Sequence, residues 1–289
     1  MAPPVALITG ASSGIGLALT KHLLARDWNV VTADLHAPPE TLGEDTLFIQ
    51  TDISSWSSNV NLFHRAYNWH SRLDFVALNA GIDDRDDIFN SISSTQSPKQ
   101  PNMATFRTNL LGTYYGIKLA AHYLSLFSPL SSGKSKPGGR IVITASAAGI
   151  YPLPNVPQYT ATKHALIGLA RAMAPAAREV NITINAVCPA LVKTNLAPPG
   201  MLESFAEEEF TPMSTIIRCF SELADLEKVN DERWVEGGKN GEVVEGNMED
   251  MMYHYAPARP ESSSYVDEEG QKAWARAYLE RNKAFAAKL

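Results

Sequence analysis

Strand, glycine-rich turn, helix is the pattern that limits this chain most. Residues 5–8 are a short apolar run, residues 9–16 read TGASSGIG, and residues 15–26 are amphipathic. Glycines let a backbone bend tightly and come close to a ligand. The free N–H groups of the following helix, with the positive end of its dipole, attract an anion. An ordinary strand-to-helix connection in an α/β protein would carry the same three glycines, Gly10, Gly14 and Gly16, so the rest of the chain has to decide. If it agrees, this turn is the pyrophosphate site of a dinucleotide.

Strand and helix patterns alternate from the start. Short apolar runs occupy residues 29–33, ending at Asp34, then 46–50, followed by Asp52, then 75–78, followed by Asn79-Ala80-Gly81. Residues 54–72 place Val60, Phe63 and Tyr67 at helical spacing. Residues 102–127 predict one long helix with Phe106, Leu110, Tyr114, Ile117 and Ala121 on one side. Further strands are predicted at 140–145 and 183–187. A helix over 158–179 should be kinked at Pro175 or end near it. Continuous apolar strands between helices imply a parallel sheet covered on both faces. Right-handed crossovers make it doubly wound, with ligands outside the carboxyl ends of the strands. The expected fold is therefore α/β, a Rossmann-type doubly wound parallel sheet.

The alternation stops after Asn195. Residues 197–238 mix Pro, acidic and helical pieces, with helices expected near 202–205 and 213–226, and are read as a substrate lid. A last strand is expected over 240–245. Residues 131–139 and 256–264 are Gly/Pro/Ser-rich connections. Residues 267–288 predict a C-terminal helix anchored by Trp274, Tyr278 and Phe285. The whole is read as one domain, residues 1–289, with 256–289 as a C-terminal extension.

Composition removes several classes. A net charge of -6 supplies no basic stripe for nucleic acid. Two cysteines, Cys188 and Cys219, make no disulfide framework and point to a reducing compartment. No run of about 18 apolar residues predicts a membrane span. With no basic-then-apolar leader either, a cytoplasmic protein is expected. No metal is called for.

Tyr159 and Lys163 lie four apart in a predicted helix, so their side chains share a face. Tyrosine ionises near pH 10, and lowering that by about 3 units takes about 4 kcal/mol. An ammonium about 4 Å away, at an effective dielectric near 20, contributes roughly that. Burial of the phenolate opposes it. Any further positive charge would help. Tyr-x-x-x-Lys alone is common on helices. Ser146, at a strand end thirteen residues earlier, could hydrogen-bond a reacting oxygen. Asn109 sits inside a predicted helix, where asparagine is unfavourable without a local reason.

The runs TGASSGIG, LNAG, FRTNLLG, RIVITASAAG, YTATK and NAVCPALVKT, in that order and spacing, resemble the short-chain dehydrogenase/reductase family. They span about two thirds of the chain. The segment NGEVVEGNMEDMMYHY and the length are similar to the 15-hydroxyprostaglandin dehydrogenase-like branch. The resemblance implies that Tyr159 is the general acid/base and that Lys163 lowers its pKa and binds the nicotinamide ribose. It further implies that Ser146 holds the substrate oxygen and Asn109 organises a water linking Lys163 to solvent. Matched cofactor positions are Gly10, Ser12, Ser13, Gly14, Ile15, Gly16, Asp34, Asp52, Ile53, Asn79, Ala80, Gly81, Tyr159, Lys163, Pro189, Val192 and Thr194. Of these, Asp52 matches the adenine contact and Thr194 the carboxamide contact. Ala190 replaces the family's usual glycine, adding a methyl where the backbone nears the nicotinamide.

Asp34 ends the second strand, where a carboxylate can accept from both adenosine ribose hydroxyls and repel a 2′-phosphate. Ser13, Leu35 and His36 supply no strong cation, so NAD is expected over NADP. Oxidation of a secondary alcohol follows. Ile150, Tyr151, Leu153, Leu196, Met201 and Phe205 suggest apolar pocket walls and an apolar or polycyclic alcohol or ketone substrate. The resemblance also implies a homodimer or homotetramer. Two other readings stay open: an NADPH-dependent ketoreductase in a biosynthetic pathway, and a non-catalytic dinucleotide-binding redox sensor.

Overall fold

The computed structural model describes residues 2–89, 92–93, 95–127, 134, 136–198, 200–229, 237–258 and 268–286. Parts of the connection expected at 131–139, of the 197–238 insertion and of the 256–264 linker lie outside these residues, as does the side chain of Phe285. The chain divides into two compact units, Met1–His254 and Tyr255–Leu289.

The first unit contains one eight-stranded sheet. Its strands are β1 (Val5–Thr9), β2 (Asn29–Asp34), β3 (Thr46–Gln50), β4 (Phe75–Leu78), β5 (Gly139–Thr144), β6 (Ile182–Pro189), β7 (Val243–Asn247) and β8 (Asp250–Tyr253). They are ordered β3-β2-β1-β4-β5-β6-β7-β8. Every pair through β6·β7 is parallel, and β7·β8 is antiparallel. The order reverses between β1 and β4, whose ends carry the two glycine motifs. That is the topological switch point where such sheets bind ligands.

The five residues of β1 are all buried because both faces of the sheet are covered. Val5 and Leu7 join a core with α2 (Trp56–His70), α3 (Thr113–Leu124) and α4 (Pro157–Arg178). Ala6 and Ile8 point the other way, into a core with α1 (Gly14–Leu24) and α5 (Met213–Ala224). A strand between two cores has no polar face, which explains its unbroken hydrophobicity.

Two elements differ from expectation. The long helix expected from residue 102 contains a π-helical segment, Phe106–Gly112, that runs into α3. The edge strand β8 was not expected at all. Its hairpin turns on Met248 and Glu249 and lacks the Asn-Gly signature such turns favour. Met248 adopts φ 52° there, and its N–H donates to Thr211 Oγ1 at 3.0 Å. Pro175 falls in the last turn of α4, which ends at Arg178.

The second unit contains α6 (Glu268–Ala286). Trp274 and Tyr278, expected as anchors, are exposed. Spaced i, i+4, they stack on each other with centroids 5.7 Å apart, and Arg281 covers the Tyr278 ring at 4.3 Å.

Candidate active site

The glycine turn needs its glycines for space as much as for dihedral freedom. A Cβ on Gly10 would lie 2.8 Å from Ala80 Cα, and one on Gly16 would lie 2.1 Å from the Gly10 carbonyl oxygen. Gly10 and Gly14 have φ of 65° and 49°. The start of α1 is left open: Ser13 makes no side-chain cap bond and the first turn holds no acidic residue. Uncapped N–H groups at a helix start, beside backbone that no side chain crowds, fit a diphosphate.

Asn79 staples this turn to the neighbouring strands. Its Nδ2 donates to the carbonyls of Thr9 and Gly10, and its Oδ1 accepts from Thr144 Oγ1 at 3.0 Å. Thr9 Oγ1 in turn accepts from the N–H groups of Asn79 and Ala80. Asp34 reaches the turn from β2, its Oδ2 accepting from the Ser12 N–H at 3.0 Å. Ser12 Oγ donates to His36 O at 2.6 Å. Ile15 packs against the α1 side of the core. Asp52 Oδ1 is spent on the N–H and hydroxyl of Ser54, at the approach to α2. Ile53 is buried, and its carbonyl oxygen would lie 2.7 Å from a Cβ on Gly112. Across the cleft, the Thr194 methyl lies 3.1 Å from where a Gly14 Cβ would be.

Pro189 ends β6. The Ala190 N–H donates to Gly246 O at 3.0 Å, and Ala190 is not among the residues in left-handed backbone. The added methyl therefore carries no backbone strain. A cleft of about 280 Å³ lies between this loop and the start of α5, lined by Val192, Lys193, Phe210, Thr211 and Met213 among others. Of the expected apolar walls, Tyr151, Leu153, Leu196 and Met201 are exposed, Ile150 packs on the core, and Phe205 meets Phe210 edge to face.

Ser146, Tyr159 and Lys163 come together at the ends of β5 and β6. The Ser146 hydroxyl acts on the Tyr159 phenol to favour its ionised form, and its Oγ accepts from the Ala148 N–H at 3.1 Å. Lys163 is 3% exposed. Its Nζ donates to Thr144 O at 2.7 Å and lies 5.2 Å from the centroid of the Tyr159 ring.

One electrostatic expectation is corrected. In the protein alone Lys163 does not bring the phenol down. Desolvation, against the Ser146 hydrogen bond and with the Asp83 carboxylate adding to it, pushes Tyr159 up to about 12. Desolvation also pulls the Lys163 amine down to about 8. Burial disfavours the charged form of both groups at once. The amine is also spent on a carbonyl.

Asn109 is buried within the π-helical segment. Its Oδ1 accepts from Ile82 N and its Nδ2 donates to Ile82 O, both at 2.8 Å. A Cβ on Gly81 would lie 3.3 Å from Asn109 Oδ1 and 3.7 Å from Lys163 Nζ. The widened turn thus gives an asparagine, poor in a regular helix, a tertiary partner. π-helical turns recur at functional sites for this kind of re-aiming.

Sequence reasoning missed three residues beside this group. Cys188 is fully buried, and burial, partly offset by the Ser146 backbone, pushes its thiol up to about 12. Glu245, 1% exposed, accepts from Tyr151 OH at 3.1 Å and from Asn247 Nδ2 at 3.0 Å, with His254 Nε2 2.7 Å away. Asp84 accepts from the N–H groups of Gln158 and Tyr159. A buried-strand pattern hides the first two, and a loop composition hides the third.

This assembly matches a known family. Residues 4–201 fit the family model described as short chain dehydrogenase. Short-chain dehydrogenase/reductase prx6 of Penicillium rubens is 28% identical over 274 residues, covering 88% of this chain and 87% of its own length. The 15-hydroxyprostaglandin dehydrogenase [NAD(+)] of Homo sapiens is 31% identical over 217 residues, covering 71% of this chain and 72% of its own. Among solved structures, a 3-ketoacyl-(acyl-carrier-protein) reductase from Brucella melitensis complexed with NADH superposes with a TM-score of 0.68 at 20% identity. It covers 84% of this chain and 96% of its own. ElxO with NADP bound gives a TM-score of 0.67 at 23% identity, covering 84% and 97%. The chain belongs to the short-chain dehydrogenases/reductases, and it is an oxidoreductase of alcohol and ketone groups.

Proposed function

We propose that the enzyme oxidises the secondary alcohol of an apolar or polycyclic small molecule to the ketone, with NAD as cofactor. The observation that carries the cofactor choice is Asp34. Its carboxylate is held against the glycine turn by the Ser12 N–H, so an adenosine ribose lying on that turn meets a hydrogen-bond acceptor, and a 2′-phosphate meets a negative charge. A relative whose name carries NAD(+) supports the same choice.

The bound nicotinamide supplies the hydride acceptor and, when oxidised, a positive charge. Tyr159 takes the alcohol proton. Ser146, beside the phenol, donates to the same substrate oxygen and fixes it between the two hydroxyls. In the protein alone the phenol stays protonated at neutral pH, since burial and Asp83 disfavour the phenolate, so it has no base form to offer. Its use as a base requires the cofactor's charge beside it, so the proton leaves only from the assembled complex. Lys163, anchored by Thr144 O, presents its remaining N–H bonds to the ribose hydroxyls. Residues 197–238 act as the substrate lid, the assembly is a homodimer or homotetramer, and the location is cytoplasmic.

One observation favours the opposite direction. A phenol that is already protonated is in the form an acid needs, which suits reduction of a ketone by NADPH in a biosynthetic pathway. A screen decides. Purified protein is offered cyclohexanol, tetralol and a hydroxysteroid, and the matching ketones, with each cofactor, following nicotinamide absorbance. NAD should exceed NADP by about tenfold or more in kcat/KM, and Asp34→Ala should erase most of that ratio. Turnover confined to ketones with NADPH would overturn the proposal.

A further inference from the structure

The helix that carries Tyr159 has an unusual beginning. Its N-cap position, Val156, has no side-chain oxygen and makes no side-chain cap bond. Its first residue, Pro157, has no N–H. Thr160 already bonds to Val156 O. The orphan donors of the first turn are therefore the N–H groups of Gln158 and Tyr159. Both are taken by one carboxylate, that of Asp84, 74 and 75 residues upstream.

Asp84 lies in the loop after β4, and that loop is fixed on both sides. Asn109 holds Ile82 by its N–H and its carbonyl. Thr105 Oγ1 donates to Asp83 O at 2.9 Å. Gln158 Nε2 reaches Asn102 O at 3.0 Å on the approach to the π-helical segment. A cap from a neighbouring residue would only stabilise the helix. A cap from this loop sets where the first turn of α4 stands relative to β4 and the π-helical segment. One of its two bonds falls on the backbone of Tyr159 itself.

We propose that Asp84 is a positioning residue for the reaction. Its carboxylate caps α4 across the fold and holds the first turn so that the Tyr159 phenol meets Ser146. The proposal rests on Tyr159 being the acid/base. Asp83, the adjacent residue, acts on the phenol by charge, whereas Asp84 acts on its backbone.

The test uses full-length D84A and D84N, with Y159F as control, on the alcohol of the panel above that turns over fastest. Each carboxylate oxygen takes one N–H, so Asn keeps one acceptor of the two, and Ala keeps none. D84A should lose about tenfold to hundredfold in kcat, since a misplacement of about 1 Å costs up to that much. Its KM and NAD affinity, read by fluorescence titration, should stay within about twofold, because the glycine turn is untouched. D84N, left with one acceptor for two N–H groups, should fall between wild type and D84A in kcat. If the carboxylate were only a structural cap, D84A would melt earlier while kcat per bound NAD stayed unchanged, and that result would sink the idea. Normal turnover by Y159F would instead remove the reading beneath it. Crystal structures of D84A and D84N give an answer independent of turnover. In D84A the phenol should leave Ser146, and an unmoved first turn of α4 counts against the proposal.

Discussion

At the N-terminal edge of the sheet a buried lysine, Lys134, lies beside Arg72 and Asp74. At the C-terminal edge another, Lys163, lies beside Tyr159 and Ser146. Burial pulls both amines down to about 8. Their surroundings differ. Asp74 works against the drop at Lys134, and it is itself gripped by Arg72 through Nε and Nη2 at 2.7 and 3.0 Å and by the Val5 N–H at 2.8 Å. Lys134 donates to the carbonyls of Leu73 and Leu124. At Lys163, among the described residues, only Cys188 works against the drop, and that thiol is itself pushed up to about 12. One end closes its charges on one another, which serves stability. The other leaves a phenol and an amine without a compensating ion, which serves a ligand that brings one.

The contrast can be broken most sharply by exchanging effects. Tyr159→Phe should cut turnover by about 10³- to 10⁴-fold and leave the melting temperature and NAD affinity nearly unchanged. Asp74→Ala should do the reverse. It leaves Arg72 and Lys134 facing each other in a buried site, costs ~3–5 kcal/mol in denaturant unfolding, and spares kcat of the folded fraction.

A smaller effect separates the two lysines by pH. Each amine has a lowered pKa in the folded state, so the unfolded chain binds more protons between about 8 and 10.5. Their contribution to stability therefore rises with pH across that window. Tyr159, Cys188 and Cys219, with raised values, oppose it above about 9. The stability difference between wild type and Lys163→Met should rise through the window by up to ~3 kcal/mol. Saturating NAD should alter that rise for Lys163→Met and leave it unchanged for Lys134→Met. Equal response of both would erase the distinction drawn between the two ends.

The smallest effect concerns Ala190. Restoring the family's glycine should change stability and kcat/KM little, within about 0.5 kcal/mol. The native backbone there is already one that alanine adopts freely. A large gain in either would mean that the methyl crowds the nicotinamide.

Much of this was readable from residues alone. The first four strands were placed to within a residue, because strands buried on both faces are unbroken apolar runs bounded by turn residues. Tyr159 and Lys163 were expected on one face, and they share it, because helical spacing fixes that locally. The family followed from six motifs in order. Strand β8 was not readable, since its turn residues, Met248 and Glu249, carry no turn signal and are held from outside by Thr211. How far burial outweighs the amine at Tyr159 in the protein alone was not readable either. A pairwise estimate counts the amine's charge, whereas the folded site first removes water from both groups.

By itself the chain determined its doubly wound sheet, its glycine turn and the residues facing that turn. Each of these depends on local periodicity or on a dihedral that glycine permits. Only the tertiary structure decided which distant carboxylate caps α4, which backbone Asn109 grips, and how deeply Lys163 is withdrawn from water. Those depend on which segments 27 to 75 residues apart are brought together, and on desolvation by everything packed between them. No pattern within one segment encodes either.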